Sequence, residues 1–206
     1  VEILKEHNLY FKKVLLFVSQ TGEEIVERYS LINQFESAKV LNIKQNPSIE
    51  GNIKSAIIAG NFDSILAIGG GRILDIGKYL SYKTLVPVVN IPTILSSDGI
   101  SSPISIIRIN NEYKSIGTVM PIGIIIDLEV IKNSPDIYTK AGLGDLMSNI
   151  SAAYDWKLAN EEKNERIDNF GKNLSLLPAL NVVDSEDEYE RIGAKKLIFL
   201  KNLAEG

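Results

Sequence analysis

The chain has 206 residues, 45% of them hydrophobic and 23% charged, with a formal net charge of −4 and no cysteine. That balance excludes the disordered class of low hydrophobicity and high charge. The missing cysteine excludes disulfides, thiolate nucleophiles and cysteine-held metals. No stripe of Lys and Arg with interleaved aromatics offers a track for nucleic acid, the longest apolar runs are too short for a bilayer, and the opening Val1-Glu2-Ile3-Leu4-Lys5 has no signal-peptide pattern. The expectation is a cytoplasmic protein without membrane insertion.

Short β-branched runs alternate with helical patterns along the first part of the chain. Strands are predicted over residues 14–18, 38–43, 64–68, 87–91 and 122–126, with helices over 23–34, 49–59 and 73–82. Apolar runs without polar alternation fit strands covered on both faces, so the βαβα rhythm predicts an α/β fold with a Rossmann-like, doubly wound parallel sheet. At Asn133-Ser134-Pro135-Asp136 the pattern changes, because Ser134 or Asp136 suits a helix cap with proline near its start. A boundary there gives a nucleotide-binding domain over 1–132 and a partial, all-helical domain over 133–206. In the latter, residues 141–160 predict a mostly buried helix, with Leu143, Leu146, Met147, Ile150 and Ala153 or Tyr154 at helical spacing, and 161–166 a solvated charged segment. Pro178 interrupts the apolar stretch 174–180, residues 184–190 are acidic, and 194–203 is again helix-like.

The chemistry concentrates in two loops. Ile65-Leu66-Ala67-Ile68 runs into Gly69-Gly70-Gly71-Arg72-Ile73-Leu74-Asp75. A strand that stops in three glycines and turns into a helix leaves backbone N–H groups facing outward, where a pyrophosphate can approach. This is not the G-x-G-x-x-G fingerprint, and a tight turn alone would use the same glycines. The next strand ends in Pro92-Thr93-Ile94-Leu95-Ser96-Ser97-Asp98-Gly99, rich in hydroxyls, and in a parallel sheet neighbouring loops at one edge face one crevice.

The segments GGGRILDIGKY, NIPTILSSDGISSP, PIGIIIDLEVIKNSP and AGLGDLMSNISAAYDWKLAN, in this order, resemble the glycerol-1-phosphate dehydrogenases of the iron-containing alcohol dehydrogenase and dehydroquinate synthase superfamily. The resemblance runs from about residue 3 to about residue 160. It implies an oxidoreductase that uses NAD or NADP with Zn²⁺ or another divalent metal to reduce dihydroxyacetone phosphate, a small phosphorylated substrate, to sn-glycerol 1-phosphate. It also implies roles by position. Gly70, Gly71 and Asp75, with Arg72 beside them, would line the cofactor's pyrophosphate and ribose; Thr93 and Ser96 would touch the cofactor from the second loop, and Ser102 would sit beside the nicotinamide. Asp98 would hold substrate hydroxyls, and Asp145 would serve as metal ligand and substrate contact, the two forming the catalytic pair. Without the resemblance, Asp145 after Gly144 reads as a helix N-cap.

Arg72 and Lys78 are candidates to help hold phosphates but read as solvated helix positions, and Lys114 is a basic candidate near the substrate phosphate. A catalytic Zn²⁺ needs three protein ligands, yet the only histidine is His7, which reads as a surface residue, so a truncated chain or one with omitted segments is expected. Ser97 stands where relatives often carry histidine. The alternatives are a glycerol or polyol dehydrogenase, a 3-dehydroquinate synthase, or a nucleotide-binding fragment without catalysis. Self-association into a homo-oligomer is expected from the apolar surface of an incomplete helical domain.

Overall fold

The computed structural model describes residues 2–43, 51, 60–109 and 112–184. They divide into two compact units, one holding the chain up to Ile94 with Gly99–Val130, the other Leu95–Asp98 with the residues from Ile131 on.

The first unit is built on parallel strands β1 (Lys13–Val18), β2 (Ser37–Asn42), β3 (Ser64–Gly69), β4 (Val88–Pro92) and the two-residue β7 (Gly123–Ile124), in the order β2-β1-β3-β4-β7. Every residue of β3 and all but Lys13 of β1 are buried, which is why these strands read as unbroken apolar runs. Helix α1 (Glu2–Glu6) adds Leu4 to the core. Helix α2 (Gln20–Arg28) sends Ile25 and Val26 onto the sheet face formed by Val14, Leu16, Val18, Leu66, Ile68 and Val89. Alternate residues point the other way, and there helix α3 (Gly71–Thr84) covers the sheet, with Gly77 so near that an added Cβ would stand 2.6 Å from the Ala67 Cβ. Helices on both faces make the doubly wound sheet that the βαβα rhythm predicts.

Several elements depart from the expectation. The helix predicted over 23–34 splits: α2 ends at Arg28, Ser30 adopts a left-handed φ of 49°, and a 3₁₀ turn follows over Leu31–Gln34. The strand predicted over 122–126 shrinks to two residues. Between β4 and β7 an unforeseen antiparallel pair forms, β5 (Ile104–Ile109) and β6 (Glu112–Gly117). Along β5 Ser105 and Ile107 are buried while Ile104, Ile106 and Arg108 are exposed; the sequence offers the turn-forming residues Asn110-Asn111 between the two runs, but its isoleucines fall on both faces and give no clean period of two. The helices predicted over 49–59 and 194–203 lie outside the described residues.

The division between the units falls within α4 (Leu128–Lys132). The second unit carries α5 (Asp136–Lys163) and α6 (Asn169–Asp184), packed on each other. Pro135 is the N-cap of α5, without a side-chain capping bond, and Ser134 Oγ donates instead to the Ile131 carbonyl at 2.7 Å. Helix α5 is less buried than predicted: Leu146 and Ala153 are buried, but Met147 and Tyr154 are exposed, because among the described residues one neighbouring helix covers only one stripe. Helix α6 continues through Pro178. The lost hydrogen bond falls on the carbonyl of Leu174, a residue 41% exposed, where solvent is at hand. Among the described residues no helix is long and apolar enough to cross a membrane.

Candidate nucleotide site

The chain passes from β1 to β2 on one side and then to β3 on the other side of β1, so its direction across the sheet reverses between β1 and β3. In open α/β sheets the crevice outside the carboxyl ends of strands at such a reversal is where ligands bind. Two helices begin there. Ser19 caps α2, its Oγ accepting from Gly22 N at 3.0 Å, and Ser19 N donates to the Ile68 carbonyl at the end of β3 at 3.1 Å. Gly70 caps α3 and has no side chain to occupy the helix's first N–H groups. Those groups lack intrahelical acceptors and sit at the positive end of the helix dipole, so the turn suits an anion that approaches along the backbone.

The loop after β4 adjoins this turn. Thr93 is buried and its N–H donates to the Gly69 carbonyl at 3.0 Å, while a Cβ on Gly70 would stand 2.9 Å from Ile94 Cδ1. Of the expected cofactor residues, Gly70, Gly71 and Thr93 therefore share one edge of the first unit. Arg72 is exposed on α3, and Ser96, half-buried, belongs to the second unit with Asp145. Asp98 opens a 3₁₀ turn over Asp98–Ile100. Lys114 is exposed on β6, 4.0 Å from Glu112.

The reading of Lys78 as a solvated helix position is overturned, since its side chain has no exposure. Its ammonium donates to the carbonyls of Gly99 at 2.7 Å, Ser102 at 3.0 Å and Ile104 at 2.6 Å, and pairs with Asp75 Oδ1 at 3.0 Å. The other Asp75 oxygen accepts from Ile106 N at 3.1 Å. Fully buried Asn90 on β4 adds a further tie, its Nδ2 donating to the Ile100 carbonyl at 2.8 Å. A signal existed: Asp75 and Lys78 at i,i+3 lie among Ile73, Leu74, Ile76 and Leu80, a setting that suits a buried pair.

Burial pushes the Asp75 carboxyl above its ordinary value of 3.8, and this outweighs the opposing attraction of Lys78 and the bond from Ile106. The ammonium has three hydrogens, and three carbonyls satisfy them without the carboxylate. Asp75→Asn should therefore cost less than about 1 kcal/mol at pH 7, against roughly 3–5 kcal/mol where removing one partner strands the other. An acid whose folded value is raised contributes stability fully below its unfolded value, and that contribution is lost as pH rises through the folded value. Wild type should thus gain on the variant as pH falls from 7 towards 4 in denaturant titrations. A loss above 3 kcal/mol at pH 7 would contradict this reading.

Asp145 is half-buried within α5, nine residues after Asp136 opens the helix, so the N-cap alternative is overturned. His7 is exposed just after α1. Among the described residues no three His, Asp or Glu side chains gather as a metal ion requires, and Asp145 alone does not make such a centre.

The sequence pattern of the iron-containing alcohol dehydrogenase family matches residues 2–135. The chain belongs to that family. Glycerol-1-phosphate dehydrogenase [NAD(P)+] of Methanococcus aeolicus is 41% identical over 145 residues, covering 70% of this chain and 40% of the relative. The protein of the same name from Methanococcus maripaludis is 33% identical over 198 residues, covering 93% of this chain and 54% of the relative. The chain thus spans about half the length of the curated relatives it matches. Among solved structures, the iron-containing alcohol dehydrogenase of Thermotoga maritima superposes with a TM-score of 0.72 at 19% identity, covering 99% of this chain and 64% of that one. This places the α/β fold within that of the iron-containing alcohol dehydrogenases.

Proposed function

We propose that this iron-containing alcohol dehydrogenase chain holds the nicotinamide nucleotide of a glycerol-1-phosphate dehydrogenase, which reduces dihydroxyacetone phosphate to sn-glycerol 1-phosphate. The observation that carries the reading is the Gly69-Gly70-Gly71 turn, seated where the sheet reverses and opening α3 without a side-chain cap. The name shared by its relatives supports the reaction class. In this reading residues 1–132 bind NAD or NADP. Gly70 and Gly71 offer N–H groups to the diphosphate, Thr93 and Ser96 border it, and Ser102 lies towards the nicotinamide, which supplies the hydride. Arg72, exposed, adds positive charge at the mouth, and Asp75 acts through the loop it braces. Asp98 binds substrate hydroxyls, and Asp145 contributes to substrate and metal binding within a helical domain over 133–206 whose other metal ligands the described residues do not supply. The protein is read as cytoplasmic and self-associating through exposed apolar side chains of α5 and α6 such as Met147, Leu158, Phe170 and Leu177.

A second reading is favoured by the absence of a three-ligand cluster among the described residues: a module that binds nucleotide without turnover. Titration of the chain with NADH, followed by its fluorescence, should give a saturable change. Adding dihydroxyacetone phosphate and Zn²⁺ should then consume NADH if the chain is competent, and leave it untouched if it only binds. Dihydroxyacetone should be a much poorer substrate than its phosphate. No saturable NADH signal sinks both readings.

A further inference from the structure

Among the described residues Lys78 is the only charged side chain in the buried class, and no cofactor role accounts for it. Its three carbonyl partners belong to residues 99, 102 and 104, so this short stretch curls round one ammonium. Carbonyl oxygens converge in this way only around a cation or a set of donors; without it their dipoles repel and the stretch must open. Lys78 also lies on the helix that begins at the glycine turn. Seven residues of α-helix separate it from Gly71, about 10 Å along the axis, and helical side chains lean back towards the N-terminus. One rigid helix therefore carries the turn at its start and the grip on residues 99–104 two turns later.

We propose that Lys78 is a positioning residue: by folding residues 99–104 around its ammonium, it sets where that stretch, with Ser102, stands relative to the Gly69-Gly70-Gly71 turn, so that the stretch receives the part of a dinucleotide beyond the diphosphate. The inference rests on the nucleotide reading above and adds the device that joins the two halves of the site. Asn90 assists through the Ile100 carbonyl, and Asp75 through Ile106 N.

The test compares NADH with ADP-ribose, which keeps the diphosphate and lacks the nicotinamide. In Lys78→Met, ADP-ribose should bind within about twofold of wild type, while NADH weakens about tenfold and loses its emission change on binding, so that the two ligands converge in affinity. Lys78→Gln, whose amide still donates to two carbonyls, should fall between. On the unaltered chain, NADH should slow hydrogen exchange of residues 99–104 more than ADP-ribose does, a readout that holds even where a variant does not fold. Equal weakening of both ligands in the variants, no weakening of either, or equal protection by both ligands overturns the positioning role and leaves the nucleotide reading standing. If wild type binds neither ligand, the nucleotide reading itself fails.

Discussion

Replacing Gly71 with aspartate is expected to weaken NADH binding about a hundredfold, roughly 2.7 kcal/mol, while leaving the fold as stable as before or slightly more so. Gly71 is the first residue of α3 after its cap. A carboxylate in a first helical turn is favoured by the dipole by about 0.3–1 kcal/mol, and losing a glycine from a helix adds to this, so thermal melts should hold or rise. The same carboxylate competes for the N–H groups that an incoming diphosphate would use and repels its charges. At about 4 Å and an effective dielectric near 20, each unit pair costs on the order of 4 kcal/mol before screening. Stability and affinity thus move in opposite directions, which general damage cannot mimic. NADH affinity within twofold of wild type would mean that the diphosphate does not lie at this turn.

Gly22→Ala should destabilise the first unit by about 1–3 kcal/mol, although Gly→Ala inside a helix ordinarily stabilises by up to about 1 kcal/mol. The reason is contact with backbone. A Cβ on Gly22 would overlap the Ile68 carbonyl oxygen and lie 3.2 Å from the Val18 Cβ, and neither the end of β3 nor that of β1 can rotate away as a side-chain tip would. That carbonyl also accepts from Ser19 N, so relief by moving α2 away from β3 breaks that bond. Because Ile68 precedes the glycine turn, NADH affinity should fall together with stability, unlike the Gly71→Asp result. Denaturant unfolding and NADH titration on the same preparation check both, and an alanine variant as stable as wild type would refute the close approach.

The fold was legible where burial on both faces writes itself into composition. Leu15, Leu16 and Phe17 in β1, and Ile65 to Ile68 in β3, leave little alternative to central strands. The hairpin of β5 and β6 was missed because a half-exposed strand is judged by alternation, and Ile104-Ser105-Ile106-Ile107 breaks strict alternation with an isoleucine on each face. At the site, the glycines were legible because the backbone geometry they permit is local. The pairing of Lys78 with Asp75 left a local signal, but its grip on residues 99–104 did not, because those partners are main-chain carbonyls more than twenty residues away, and carbonyls carry no sequence label. Gly22 escaped for the same reason: what makes it necessary is an oxygen of β3, not a neighbour in the chain.

The pairing of β1 with β3 joins Val14 to Ser64, fifty residues further on, whereas β1 meets β2 after only twenty-four. As the polypeptide leaves the ribosome, its most apolar strand therefore has a partner along one side well before the other side can be closed. Closing the longer loop costs little more in entropy than the shorter one, but such distant pairings raise contact order and slow folding. Throughout that interval the bare edge of β1 is the stretch that a chaperone, or a second nascent copy, would seize first.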